Sequence, residues 1–231
     1  MSALLGTFVN TAAVLIGGLI GLLLKKGLPA KISDTVMKGV GLCVIYIGIS
    51  GSLDGKNALI TIISTAVGAV IGSLLDLDCK VNQLGIFLEN KFSKKESEGT
   101  ASIAKGFVSA SLLFCVGAMA IVGSLNSGLR HNHEMLYTKS LLDFISSIIF
   151  AASLGVGVLF SAIFVLIYQG MITLLAQFIA PFLTEVVIAE MTCVGSVLII
   201  GLGMNMIGIT KLKVMNYIPA IFLPIVLCMF L

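Results

Sequence analysis

Polar side chains along this chain fall in short islands. Between them run eight apolar stretches, at residues 4–24, 36–53, 57–75, 107–127, 141–157, 159–180, 187–209 and 215–231. Each has roughly the 17–25 residues a helix needs to cross about 30 Å of hydrocarbon. A water-soluble core does not require runs of this length. A bilayer does, and it admits only structures that satisfy every backbone polar group internally. The pattern predicts an all-α, polytopic transmembrane bundle, a single integral membrane domain over residues 1–231. Eight spans is the expected count. Only Gly155–Val158 separates the fifth from the sixth, so seven is the alternative. Residues 140–182 are too many for one crossing, which favours two.

The lysines orient the bundle. Lys25, Lys26, Lys31, Lys38, Lys80, Lys91, Lys94, Lys95, Lys105, Lys211 and Lys213 lie on one side of an eight-span arrangement, eleven of the 14 basic residues. The other side holds Lys56, Arg130 and Lys139. By the positive-inside rule the dense side is cytoplasmic, which leaves both termini outside. A seven-span arrangement moves Lys211 and Lys213 outside and weakens this asymmetry. Residues 76–105 are the sizeable polar insertion. Within them Val81, Leu84, Leu88 and Phe92 recur near one face, as in a helix lying on the inner membrane surface; an ordinary solvated loop is the alternative.

Composition agrees. Hydrophobic residues make up 58% of the 231 and charged ones 11%, less than half the roughly 25% of a soluble domain. The net charge of +3 comes with no basic stripe and interleaved aromatics, so no nucleic-acid partner is expected. The five cysteines are dispersed, odd in number and without metal-ligand spacing, which argues against a disulfide framework. The N-terminal run lacks a basic stretch before it and reads as the first span rather than a signal peptide. No cofactor is expected. His131 and His133 in HNHE could meet a metal, but a plain polar loop explains them better.

The chain echoes itself. Cys43–Gly55 resembles Cys115–Ser127, and Leu28–Gly41 resembles Ala180–Gly195 with a small gap. The second echo maps spans one to three onto six to eight with opposite orientation, the inverted repeat of many secondary transporters. Chance likeness in an apolar alphabet is the competing account, and the two echoes do not fit one scheme. Glycines at four-residue spacing, Gly17 with Gly21, Gly51 with Gly55 and Gly68 with Gly72, let helix backbones approach within a protomer or across a homodimer.

Polar residues inside apolar runs are the candidate chemistry. Asp143 follows Lys139 by four residues, so the two share a helical face and can pair; each is a pathway candidate or half of a structural ion pair. Glu185 at the start of the seventh span suits a helix N-terminus, with Thr184 as cap. Glu190 lies deeper and is a candidate for lining a pathway. Span four carries Gly117, Ser124 and Asn126 in a glycine-rich run, the composition of a broken helix that exposes carbonyls to a solute. Asn10, Gln169, Asn205 and Asn216 read as hydrogen-bonding links between helices; a shared cluster of Asn10, Asn126, Asp143, Asn205 and Asn216 would instead make a hydrated polar site. Pro219 and Pro224 should kink or unwind span eight.

GTFVNT (Gly6–Thr11), GFVSASLLFCVGAMAIVGSLNSGL (Gly106–Leu129), TKSLLDFISS (Thr138–Ser147), GVGVLFSA (Gly155–Ala162), YQG (Tyr168–Gly170) and NYIPA (Asn216–Ala220) together resemble a bacterial membrane-protein family catalogued as domain of unknown function, family 554. The resemblance covers essentially the whole chain. It implies a polytopic protein of the bacterial inner membrane and no particular substrate, and its motifs include Asn10, Lys139 and Asp143. The reading reached is a secondary transporter or facilitator of a small solute or ion. It is not ATP-driven, for want of a Walker loop, and not an enzyme, for want of any catalytic signature. A channel, or a scaffold that meets partners through its glycine faces, is the alternative.

Overall fold

The computed structural model describes residues 3–25, 30–80, 83, 103–115 and 118–230. Among them every regular element is helical: α1 (Leu5–Lys25), α2 (Ala30–Ser52), α3 (Ala58–Leu74), α4 (Ile103–Cys115), α5 (Ala118–Arg130), α6 (Glu134–Leu154), α7 (Gly157–Leu174), a single turn at Ala176–Ile179, and α8 (Glu185–Met206). A 3₁₀ helix, Val214–Phe222, and one α-turn, Pro224–Leu227, follow. Four helices, α1, α6, α7 and α8, are long and apolar enough to cross a membrane, and α4 with α5 makes a fifth if the bent pair is one span. Shorter apolar helices cover Lys38–Ser52, Ala58–Leu74 and Val214–Leu227. The expected interfacial helix near residues 81–92 lies outside the described residues.

Local chemistry accounts for the breaks. The long run over residues 140–182 divides at Gly155, whose φ is +85°, a left-handed conformation that only glycine adopts at little cost. Its N–H still bonds the Ala151 carbonyl, and α7 starts two residues later. The fourth apolar run is a pair of helices bent by 61°. In the last run Pro219 sits inside the 3₁₀ helix and Pro224 opens the turn after it. Proline cannot donate to an α ladder, so the segment is partly unwound, as its prolines predict. At about 2.0 Å per residue it also reaches further than an α-helix of equal length.

Two sub-bundles result. In the first, α1 lies along α6 for most of its length, and α7, α4 and α5 complete the group. In the second, α2 lies along α8, and α3 lies along the 3₁₀ helix. Contacts between the groups are sparse: α2 with α6, and α8 with α4 and α5. Glycine makes the tight seams. A Cβ on Gly17 or Gly21 would run into the carbonyls of Phe144 and Ile148 in α6, one on Gly51 into Ser196, and one on Gly68 or Gly72 into the backbone of Ala220 and Asn216. All three glycine pairs noted in the sequence therefore pack inside the protomer. Between lipid-facing helices such close approach, rather than apolar burial, drives association. Outside the seams, large apolar side chains such as Leu23, Leu42, Leu74, Leu141 and Phe178 stand exposed, the surface a bilayer covers.

Candidate functional site

Lys139 and Asp143 project from one face of α6, one turn apart. The Lys139 ammonium donates to Asp143 Oδ1 at 2.9 Å and lies 2.8 Å from Oδ2. From α1, Asn10 Nδ2 donates to Oδ2 at 3.0 Å. All three are buried: Lys139 is 6% exposed, Asp143 5% and Asn10 0%. The helical spacing predicted the first contact. The second joins residues far apart in sequence, which the family motifs and the proposed polar cluster both group together. Asn10 Oδ1 has no protein partner. A charge pair this dry is held by its hydrogen bonds, and losing either partner leaves the other uncompensated.

The pair forms part of the wall of a cleft of about 490 Å³ between the two sub-bundles. Its other walls are Tyr46, Ser50, Gly51 and Asp54 of α2 and its end, Ser146 of α6, and Thr192 and Ser196 of α8, with Leu113 and Met119 from either side of the α4–α5 bend. The volume suits a small ligand. The lining is rich in hydroxyls and holds one cation, Lys139, and two carboxylates, Asp54 and Asp143. The cleft lies beside the bent fourth run, although Ser124 and Asn126 are not among its lining residues. Sequence reasoning missed Ser50, Thr192 and Ser196, because small polar residues in apolar helices usually bond their own preceding turn, and Asp54, because it lies in the turn after α2. Thr192 does so, donating to the Ile188 carbonyl at 2.7 Å.

The remaining candidates are dispersed. Glu190 is fully buried, and its Oε1 accepts the backbone N–H groups of Lys56 (2.6 Å) and Asn57 (2.8 Å) at the start of α3. It caps that helix from across the sub-bundle, while Asn57 caps it locally through Leu59 N. Glu190→Ala leaves two amides without this acceptor and should cost about 1–3 kcal/mol. Hydrogen exchange would rise at the first turn of α3; unchanged protection there would refute the capping role. Thr184 caps α8 through Val187 N, and Glu185 is exposed in its first turn.

Asn205 staples the loop after α8, accepting from Thr210 Oγ1 (2.7 Å) and Leu212 N (2.8 Å) and donating to the Leu212 carbonyl (2.7 Å). Asn216 accepts from the Asp78 amide at 2.8 Å. Neither lines the cleft, so the shared cluster of Asn10, Asn126, Asp143, Asn205 and Asn216 considered from sequence does not form. An asparagine in an apolar run carries no mark of which backbone it meets. Asn126 is half-buried at the end of α5, and Gly117 lies outside the described residues. Ser124 and Gln169 are buried, with hydroxyl and amide lacking protein partners.

One pair escaped the sequence reading. Ser127 Oγ lies 2.7 Å from His133 Nδ1 and 2.6 Å from the Ala3 carbonyl. A hydroxyl has one proton and the carbonyl can only accept, so Ser127 donates to Ala3 and His133 Nδ1–H donates to Ser127. The imidazole therefore does not draw the serine proton. No group of three or more His, Cys, Asp or Glu suited to a metal ion occurs among the described residues.

Comparison with known proteins agrees with the family expected from the motifs. A family model described as "Protein of unknown function (DUF554)" matches residues 5–229. The chain is 33% identical over 223 residues to the uncharacterized membrane protein YdfK of Bacillus subtilis (strain 168), covering 95% of this chain and 93% of that one. It is 33% identical over 220 residues to the uncharacterized protein YqgA of Escherichia coli (strain K12), covering 95% and 94%. No solved structure matches.

Proposed function

We propose, for a chain that belongs to the membrane-protein family of unknown function DUF554, that it is a secondary transporter or facilitator of a small solute or ion. One observation carries the reading: the cleft lies between two sparsely joined sub-bundles, beside a bent span, and a buried ion pair forms part of its wall. Sites at the interface of two rigid groups suit alternating access, in which one group rocks against the other around a fixed site. A charged group entering the cleft competes with one partner of the Lys139–Asp143 pair. The hydroxyls of Ser50, Ser146 and Ser196 supply neutral hydrogen bonds. No step here requires catalysis or a cofactor, and we assign the protein no enzymatic role.

We infer that the second sequence echo is a true inverted repeat, which supports the same reading. The spacing that carries Gly41 onto Gly195 also carries the last residue of α2, Ser52, onto Met206, the last of α8. It brings the ends of α3 to within two residues of those of Val214–Leu227. Echo partners also pack on each other: α1 with α7, α2 with α8, and α3 with the 3₁₀ helix. The α2–α8 pairing runs antiparallel, Gly41 meeting Gly203 while Gly51 meets Ser196. These relations fit eight crossings in the cytoplasmic membrane with the lysine-rich end inside. The scaffold alternative is disfavoured, because the glycine faces it would offer a partner are already filled.

The test needs no known substrate. Single cysteines replace Ser50 or Ser196 in a background without the five native ones, and a membrane-impermeant maleimide is applied to right-side-out and inverted vesicles. A carrier cleft is labelled from both sides. Protection from both sides would overturn the reading, and unitary current steps in a planar bilayer would mark a channel instead.

A further inference from the structure

At the lysine-rich end a second cavity, of about 320 Å³, opens between the start of α4 and the loop after α8. Lys105 reaches it from α4, and Lys211 and Lys213 from the loop; Asp78 is the one carboxylate in its lining among the described residues. Its floor is apolar, with Val108, Leu202 and Val214 among the lining residues. Ser109, one turn below Lys105, also lines it, and the Ser109 hydroxyl is fully buried without a protein partner. The loop is not loose. Asn205 binds it three times, through Thr210 once and Leu212 twice, so Lys211 and Lys213 are held at the mouth. Gly208, at φ +85°, turns the chain sharply enough to bring them back over α8.

We propose that this cavity binds a phosphate-bearing anion at the cytoplasmic face, with Lys105, Lys211 and Lys213 around the phosphate and Ser109 donating from below. Among the described residues, three ammonium groups against one carboxylate leave the lining net positive. The orphaned hydroxyl supplies the directional donor that point charges lack, and the apolar floor accommodates a chain attached to the phosphate. A phospholipid headgroup and a free phosphate share this chemistry, and basic pockets between membrane helices on this side commonly hold anionic headgroups.

The intact protein, purified in a neutral detergent, is tested by native mass spectrometry and thermal shift. The probes are dioleoylphosphatidylglycerol, dioleoylphosphatidylcholine, and sodium phosphate against sodium chloride at matched ionic strength. Each lysine is worth a factor of about five in affinity for an anionic headgroup near the surface, so Lys105→Gln/Lys211→Gln/Lys213→Gln should weaken retention about a hundredfold. Lys38→Gln, at the same end but bridged to Asp34 at 2.7 Å and absent from the cavity lining, should leave it unchanged. Ser109→Ala should weaken binding with all lysines in place. A shift by phosphatidylglycerol alone, lost in the triple variant, identifies a lipid headgroup; the same loss with inorganic phosphate identifies a soluble anion. Equal retention by the triple variant and Lys38→Gln, or no preference for either anion over its control, overturns the proposal. The three lysines are exposed and their substitution leaves the packed core intact; should the triple variant nonetheless fail to fold, the single Lys→Gln variants carry the same comparison at about fivefold each.

Discussion

Asp143→Ala is expected to destabilise the bundle by about 3–5 kcal/mol, because it strands the Lys139 ammonium among buried side chains. It also frees the Asn10 amide, which donates to the same carboxylate. The double variant Lys139→Met/Asp143→Leu should recover most of that stability, since apolar residues of similar volume commonly replace a buried ion pair at little net cost. Solute counterflow in proteoliposomes should be lost in both. The two readouts separate packing from function: a pair that merely braces α6 would regain activity along with stability. Reversible unfolding in mixed micelles measures the first quantity. A single variant within about 1 kcal/mol of the parent would mean that the pair is hydrated rather than dry.

Gly72→Ala is expected to cost about 1–3 kcal/mol or more, although alanine is the better helix former. The added methyl meets the carbonyl of Asn216, and backbone cannot rotate aside as a side chain can. Displacing Asn216 also strains its bond to the Asp78 amide, so the disturbance spreads to the turn after α3. Gly39→Ala is the matched control: nothing lies within 4 Å of its added Cβ, and propensity alone should make it neutral or stabilising by up to about 1 kcal/mol. Comparing the two by thermal unfolding isolates the seam. Equal effects would show that α3 and the 3₁₀ helix do not touch at this point.

Much of the architecture was legible because lipid imposes simple rules. Continuous apolar runs mark helices, the Gly155–Val158 stretch marks the boundary between two of them, and prolines mark where the last run loosens. The spacing of Lys139 and Asp143 was equally readable, since helical periodicity alone brings them together. What spacing cannot encode is a partner on another helix. Gly17 and Gly21 announce a close approach without saying that α6 makes it. Glu190 looked like a pathway residue because a buried carboxylate is rare in an apolar run, and its partners proved to be two backbone amides, which leave no trace in side-chain identity. Asn205 and Asn216 failed as a shared cluster for the same reason. The division into two sub-bundles depends on which glycine seam meets which, so it emerged only in three dimensions.

The interleaving of the sub-bundles has a consequence for biogenesis. α2 and α3 leave the ribosome long before α8 and the Val214–Phe222 helix that cover them. Through most of synthesis their small-residue faces lie open in the bilayer, and Glu190 has not yet arrived to cap α3. The nascent protein therefore depends on α8 and the Val214–Phe222 helix to close, and a message truncated after α7 would yield a product exposed to insertase retention and quality-control proteolysis.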